Sequence, residues 1–356
     1  MGKHITAFYS SVQMALPGQM GDTFEYIRYS FPEFVHTTGD RPGERRLYTR
    51  GFWLDFHPQN GQAAYGKPVE PTEGTYVRST FTDEIILAVA DVTLSVDAAF
   101  SQVDSRNISL VLTSKGEVYA QAYGSSGGGE YVSVFDQNWG AVTSPPTFLE
   151  MAALVDTDNH EIHAIMLAGD AHGSGLIFDW FGGIPFGNDL GAWTLIPFLF
   201  VNIPGGRLVA ASYSSSLQQR EILVATTNTI TLIRNTKHST KQEDFASFPG
   251  ETIIALTSFS VPDDTAQRAV VATTSDNILY HLWEIAYEQS VGQPVLIGTL
   301  TDVNLLEISG YANPTEHLRH LAILTSTHQL YRGSYTQSGG GFQFTPWPDL
   351  PVALPS

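Results

Sequence analysis

The sequence predicts an all-β chain: a single closed β-propeller spanning residues 1–356, of seven four-stranded blades, with six as the other count the pattern allows. Three observations predict it: a strand–turn–strand unit recurs along the chain, its period is roughly 50 residues, and no window carries a capped 3.6-residue apolar period. One blade cannot bury both faces of its sheet, so blades must stack around an axis and close a ring.

The unit is an apolar strand ending in threonine, a short polar turn, and a second strand carrying an aromatic or hydroxyl residue. It reads ISLVLTSKGEVYA at Ile108–Ala120, EILVATTNTITLI at Glu221–Ile233, AVVATTSDNILYH at Ala269–His281 and LAILTSTHQLYRG at Leu321–Gly333. Thr113, Thr274 and Thr325 are each followed six positions on by a tyrosine, Tyr119, Tyr280 and Tyr331. A diverged copy with a longer turn runs from His163 to Trp180.

A strand precedes each unit: TLSVDAAF, EMAALVD, LVAASYS, IIALTSFS and NLLEISGY. Thr147–Asp156 is the best helix candidate, but it stands in register with these strands and is read as one. A closing aromatic follows most units: Trp139, Trp193 and Trp347 in three, Phe248 in a fourth. Stepping backward by the same period reaches segments near Tyr76 and Tyr26, which brings the count to seven. The N-terminal strand HITAFYS is expected to complete the blade that holds FQFTPWPDLP, since an open ring leaves unpaired sheet edges.

Composition narrows the function. With 18 basic and 36 acidic residues the formal charge is −18, which disfavours nucleic acid and anionic membrane surfaces as partners. No run of about eighteen apolar residues exists, so no spanning helix is expected. There is no cysteine, which excludes disulfides, thiolate metal sites and cysteine nucleophiles. The first residues contain no continuous apolar core of a secretory signal, so cytoplasmic synthesis is expected, with non-classical release as the route outward. Gly2 and Thr6 fit an acylation pattern, read here as a chance match ahead of a strand.

Catalytic motifs are missing: no G-x-S-x-G, P-loop, G-x-G-x-x-G after a strand, or H-E-x-x-H occurs. Asp156, Asp158, His160, Glu161 and His163 fall within eight residues. As a calcium loop the segment lacks the central glycine and the final glutamate. As a zinc site it would need His160 and His163 together, and period-two alternation puts them on opposite faces of a strand. A solvated turn accounts for it without an ion. His317 and His320 meet the same parity objection, and Asp263 and Asp264 read as a solvated loop. No metal, cofactor or catalysis is expected.

The units resemble those of sugar-binding propeller lectins, the fungal fucose-lectin type and the bacterial seven-bladed type. The resemblance rests on LVAASYS at Leu208–Ser214, TTSDNILYHLWE at Thr273–Glu284 and the closing tryptophans, and it spans Val92–Pro351. It implies a non-catalytic lectin with sites in clefts between blades, binding multivalent glycans, with a homo-oligomer as a compatible arrangement. Trp139, Trp193 and Trp347 are the expected stacking platforms, with Arg332 and Glu284 as polar partners. The closing tryptophan is missing from two of five units, and the turns repeat no Arg or Glu at a fixed position. Only some clefts are therefore expected to work. The alternative reading is a protein-interaction scaffold that binds no sugar.

Overall fold

The computed structural model describes residues 5–10, 23–35, 44–56, 80–82, 86–94, 106–124, 127–128, 132–134, 147–169, 174–183, 196–236, 238–261, 265–313, 318–326, 330–335 and 343–346. Every regular element among them is a strand. The first sheet holds β1 (Ile5–Ser10), β2 (Thr23–Val35), β3 (Glu44–Phe56) and β4 (Thr80–Thr82). The second holds β5 (Ile86–Leu94), β6 (Arg106–Thr113), β7 (Val118–Gly124), β8 (Gly127–Gly128) and β9 (Val132–Ser133). The third holds β10 (Thr147–Asp156), β11 (Glu161–Gly169), β12 (Ser174–Gly183) and β13 (Ile196–Pro204). The fourth runs through β14 (Leu208–Ser214), β15 (Gln219–Ala225), β16 (Thr229–Asn235) and β17 (Thr240–Ser247). The fifth comprises β18 (Thr252–Phe259), β19 (Gln267–Thr274), β20 (Leu279–Tyr287) and β21 (Val295–Thr301). The last comprises β22 (Leu305–Asn313), β23 (Leu318–Thr325), β24 (Leu330–Tyr335) and β25 (Gln343–Pro346).

Each sheet is an antiparallel meander in chain order, except that β9 folds back to pair with β7 in the second. The first strands of successive sheets lie side by side: β1 with β5, β5 with β10, β10 with β14, β14 with β18, β18 with β22, and β22 with β1 again. That circuit is closed, and it makes the molecule a propeller. The helix candidate at Thr147–Asp156 is strand β10.

Two expectations are corrected. The described strands form neither seven nor six sheets of four: five have four strands and one has five. The excess arose at the N-terminus, where β2 and β3 are each 13 residues long. The segment near Tyr26 is β2 and the one before Phe81 ends in β4, so a step of one period counted a single sheet twice. Ring closure also differs. β1 pairs with β2, from Ile5↔Tyr29 to Ser10↔Phe24, and β25 pairs with β24. Among the described residues the first and last sheets close the ring by packing on one another, with no shared blade, because each already has four strands of its own.

The core lies between sheets and follows period-two alternation. In β15, Ile222 and Val224 pack toward the third sheet, while Leu223 and Ala225 pack toward the fifth. β19 lies inside its sheet and between two neighbouring sheets, and QRAVVATT is buried at every position, whereas the outermost strands β17 and β21 are largely exposed. Inner strands are small where space is tightest. A Cβ placed on Gly310 of β22 would stand 2.4 Å from the Phe259 ring of β18. Polar bridges tie the inner strands together. Glu150 Oε2 of β10 accepts the Val209 N–H of β14 at 3.1 Å, and the Gly310 N–H donates to Thr257 Oγ1 at 3.2 Å.

Candidate functional site

Clefts between neighbouring sheets carry the polar groups, and they cluster at two ends. Where strand one turns into strand two, three successive sheets place an arginine as the second residue of strand two: Arg220 in β15, Arg268 in β19 and Arg319 in β23. The sequence reading sought a repeated charge in the turns; this one sits inside the strands.

Arg220 crosses to the third sheet, where it bonds Asp179 Oδ2 of β12, and it also bonds Asn235 of its own sheet. Arg319 crosses in the same way to Glu284 of β20. Asp179 stands opposite Ile165 and Glu284 opposite Val270, which are corresponding positions of strand two. The same clasp therefore holds the third sheet to the fourth and the fifth to the sixth. Between the fourth and fifth the charges are arranged otherwise. Arg234 of β16 lies 3.5 Å from Glu221 Oε1 and 2.9 Å from Glu243 Oε1, and its Nη1 donates to the carbonyl of Gln289 in the β20–β21 turn at 3.0 Å. Tyr287 sits beside this group, its hydroxyl 3.1 Å from Ser212 Oγ and 2.7 Å from Ser258 Oγ.

These clusters are interior. Glu221 is fully buried, and removal from water pushes its carboxyl up to about 7 against the pull of Arg234 and the Gln219 amide. Burial, followed by the charge on Glu284, raises the Tyr335 phenol well above its usual value. Such groups lock the sheets together, and they are poorly placed to meet a ligand.

The opposite end of the cleft between the fourth and fifth sheets is different. Glu251 precedes β18, Thr273 is next to last in β19, and His281 and Trp283 are the third and fifth residues of β20. Trp283 Nε1–H donates to Thr273 Oγ1 at 3.0 Å, the Thr273 hydroxyl donates to Glu251 Oε2, and His281 Nδ1 lies 3.0 Å from Glu251 Oε1. Phe248 and His281 stand against the indole with ring centroids 5.9 Å away in each case. Trp283, His281 and Glu251 all keep part of their surface open to solvent. The indole is held in one orientation, with a carboxylate and an imidazole converging beside it.

The sequence analysis carries Trp283 only within the segment TTSDNILYHLWE and names Glu284 beside it. The parity of β20 separates the two: Trp283 faces the fourth sheet and Glu284 the sixth. Glu284 is thus committed to Arg319, with Arg268 Nε 3.7 Å away, and the structure does not place it at a rim. Arg332 lies in β24 in register with Ala322 and Thr345, and its side chain lies outside the described residues. Trp139, Trp193 and Trp347 also lie outside them, as do His317, Asp263 and Asp264. His320 is fully buried, stacked on Tyr311, with Nδ1 2.7 Å from Ser334 Oγ. At the β10–β11 turn, Asp156 Oδ1 accepts the backbone N–H groups of Asp158 and Asn159, as expected of a turn.

The sequence matches no known family profile. No curated protein matches it either. Solved structures do. A fungal lectin of Aleuria aurantia, described as a six-bladed β-propeller with a fucose recognition mode, superposes with a TM-score of 0.53 at 15% identity, covering 96% of this chain and 94% of that one. A mercury derivative of the fucose-specific lectin from the same organism gives 0.54 at 15% identity, covering 99% and 97%. AofleA from Arthrobotrys oligospora gives 0.54 at 9% identity, covering 97% and 86%. At such identities the likeness is one of fold: over nearly its whole length the chain is similar to propeller lectins.

Proposed function

We propose that this chain is a single-domain, non-catalytic carbohydrate-binding lectin whose sugar sites lie in clefts between adjacent sheets. The observation that carries the reading is the half-open Trp283 indole, held by Thr273 and flanked by Glu251 and His281. A pyranose offers one face of C–H groups, which suits an indole, and hydroxyls that need convergent donors and acceptors; this group supplies both. The fold likeness to lectins supports the class, and fucosylated glycans are the first ligands to try.

Stacking on one ring is worth on the order of 1 kcal/mol beyond area burial, so a single site is weak and several sites on one ring supply avidity. The test is a glycan array, then titration with α-methyl fucoside or with whichever glycan binds. Glu251→Gln keeps the packing of the cleft but removes the charge that the Thr273 hydroxyl and His281 face. It is expected to weaken binding at least about tenfold while leaving the melting temperature nearly unchanged, the loss of one charge-assisted hydrogen bond. An array without a positive glycan refutes the lectin reading; full binding by E251Q moves the site away from Trp283.

A further inference from the structure

We propose that Asp156, Glu161 and His163 bind a zinc ion at the β10–β11 turn, beside the cleft between the third and fourth sheets. This site is separate from the Trp283 cleft and stands whether or not a glycan binds.

Parity, which set His160 against His163, brings a different trio together. Asp156 and Glu161 are paired in register across the turn, so their side chains share a face, and His163 lies two residues farther along that face. His160 takes a left-handed backbone, φ 53°, in the exposed turn. Ligand atoms of Asp156, Glu161 and His163 all lie within 4.8 Å of one another.

The independent sign is the imidazole. His163 is fully buried, and its Nδ1 stands 2.8 Å from Asp179 Oδ1. Its Nε2 has no hydrogen-bond partner, although Glu161 Oε2 is 3.5 Å away. That separation is too long for an N–H···O bond, whose usual range ends near about 3.2 Å. It fits two ligands of one ion, because ligands about 2.0–2.2 Å from a tetrahedral zinc stand about 3.3–3.6 Å apart. With Nδ1–H given to Asp179, the lone pair of Nε2 is left toward Glu161, with Asp156 in the same cluster, and that is the arrangement that orients a zinc-binding histidine.

The surroundings agree. Arg220 bonds Asp179 Oδ2 and lies 2.9 Å from His163 Nδ1, so Asp179 is already neutralised and serves to orient the ring. Asp156 and Glu161 then present two negative charges to a divalent cation. Asp156 is fixed beforehand: Oδ1 accepts the N–H of Asn159 at 2.9 Å and Oδ2 accepts its side-chain amide at 2.7 Å. Glu161 is one-third exposed, at 33%, which leaves room for water in the remaining position. One imidazole with two carboxylates suits zinc better than calcium or magnesium, which take all-oxygen shells.

The experiment uses the full chain stripped with a chelator and titrated calorimetrically with Zn²⁺, alongside NMR of ¹⁵N-labelled histidine. One zinc per chain is expected, with the His163 Nε2 resonance shifting in step with it. Glu161→Gln and Asp179→Asn should each weaken zinc at least about tenfold, the scale set by losing a ligand or the carboxylate that orients one. Equal affinity in the wild type and E161Q overturns the proposal, since zinc would then sit on other histidines among the eleven. So does a wild-type spectrum in which Nε2 of His163 stays protonated throughout, for the ring would then accept from Arg220 and point a proton at Glu161. If a variant fails to fold, the wild-type resonance decides alone.

Discussion

Replacing Glu221 by glutamine should stabilise the protein at neutral pH and leave it almost unchanged in mild acid. Glu221 is fully buried, and its carboxyl is pushed from 4.5 up to about 7, with loss of water the largest cause. Arg234 does not cancel that loss. Its Nε is 3.5 Å from Glu221 Oε1, and the same guanidinium serves Glu243 and two backbone carbonyls of the β20–β21 turn. The charges of Glu243 and Glu288 push the carboxyl farther up.

The sign follows from which state binds the proton. Below about 4.5 both the folded and the unfolded chain hold it, and Glu221 adds no pH dependence. Between 4.5 and about 7 the unfolded chain has released it while the folded chain keeps it, so stability falls as pH rises. Above that window the folded chain carries a buried charge and the loss is complete. At about 1.4 kcal/mol per pH unit, the displacement corresponds to a loss on the order of 3 kcal/mol. E221Q cannot ionise and escapes it. Urea denaturation of both proteins at several pH values between 4 and 8 measures the effect, with m-values checked for constancy. The stability gap should open toward high pH. A gap that stays flat across the window means that Glu221 is charged throughout and that Arg234 does neutralise it, and the reasoning about burial fails.

Two further substitutions probe the joins between sheets. Gly310→Ala drives a methyl group into the Phe259 ring between the fifth and sixth sheets, and it should lower stability by about 1–3 kcal/mol in chemical denaturation; a neutral result would mean that the inner strands can spread. Arg319→Met removes the nearest cation from the mostly buried Glu284, leaving Arg268 Nε at 3.7 Å, and it should cost about 3–5 kcal/mol. A loss that shrank steeply with added salt would place the pair in solvent, contrary to its burial.

Much of the architecture was legible because burial on both faces leaves a strong mark on sequence. β15, β19 and β23 are short apolar runs ending in alanine or threonine and bounded by polar turns, and their spacing gave the ring. The N-terminal count failed where that mark weakens: β2 and β3 are long and interleave Arg, Glu and Asp with aromatics, as in TFEYIRYSFPEFV. Periodicity there measures strand length as much as sheet number. The closure failed for another reason. Pairing of the first strand with the last would satisfy sheet edges as well as separate complete sheets do, and the linear sequence does not distinguish the two.

Site residues were harder to read because their meaning depends on which neighbour a face meets. Trp283 and Glu284 are adjacent in the chain, yet one faces the fourth sheet and the other the sixth. Alternation does predict that they diverge. It does not predict that a carboxylate will find an arginine there, since Arg319 lies 35 positions away. The same holds for the β10–β11 turn. Parity excluded the two histidines as joint ligands, and it equally implied that Asp156, Glu161 and His163 share a face once the turn places Asp156 opposite Glu161. What could not be read in advance was Asp179, brought from β12 to within 2.8 Å of one nitrogen of His163 while Glu161 stands 3.5 Å from the other. Trp283 likewise owes its orientation to Thr273 and Glu251, which reach it from another strand and from the loop before the sheet.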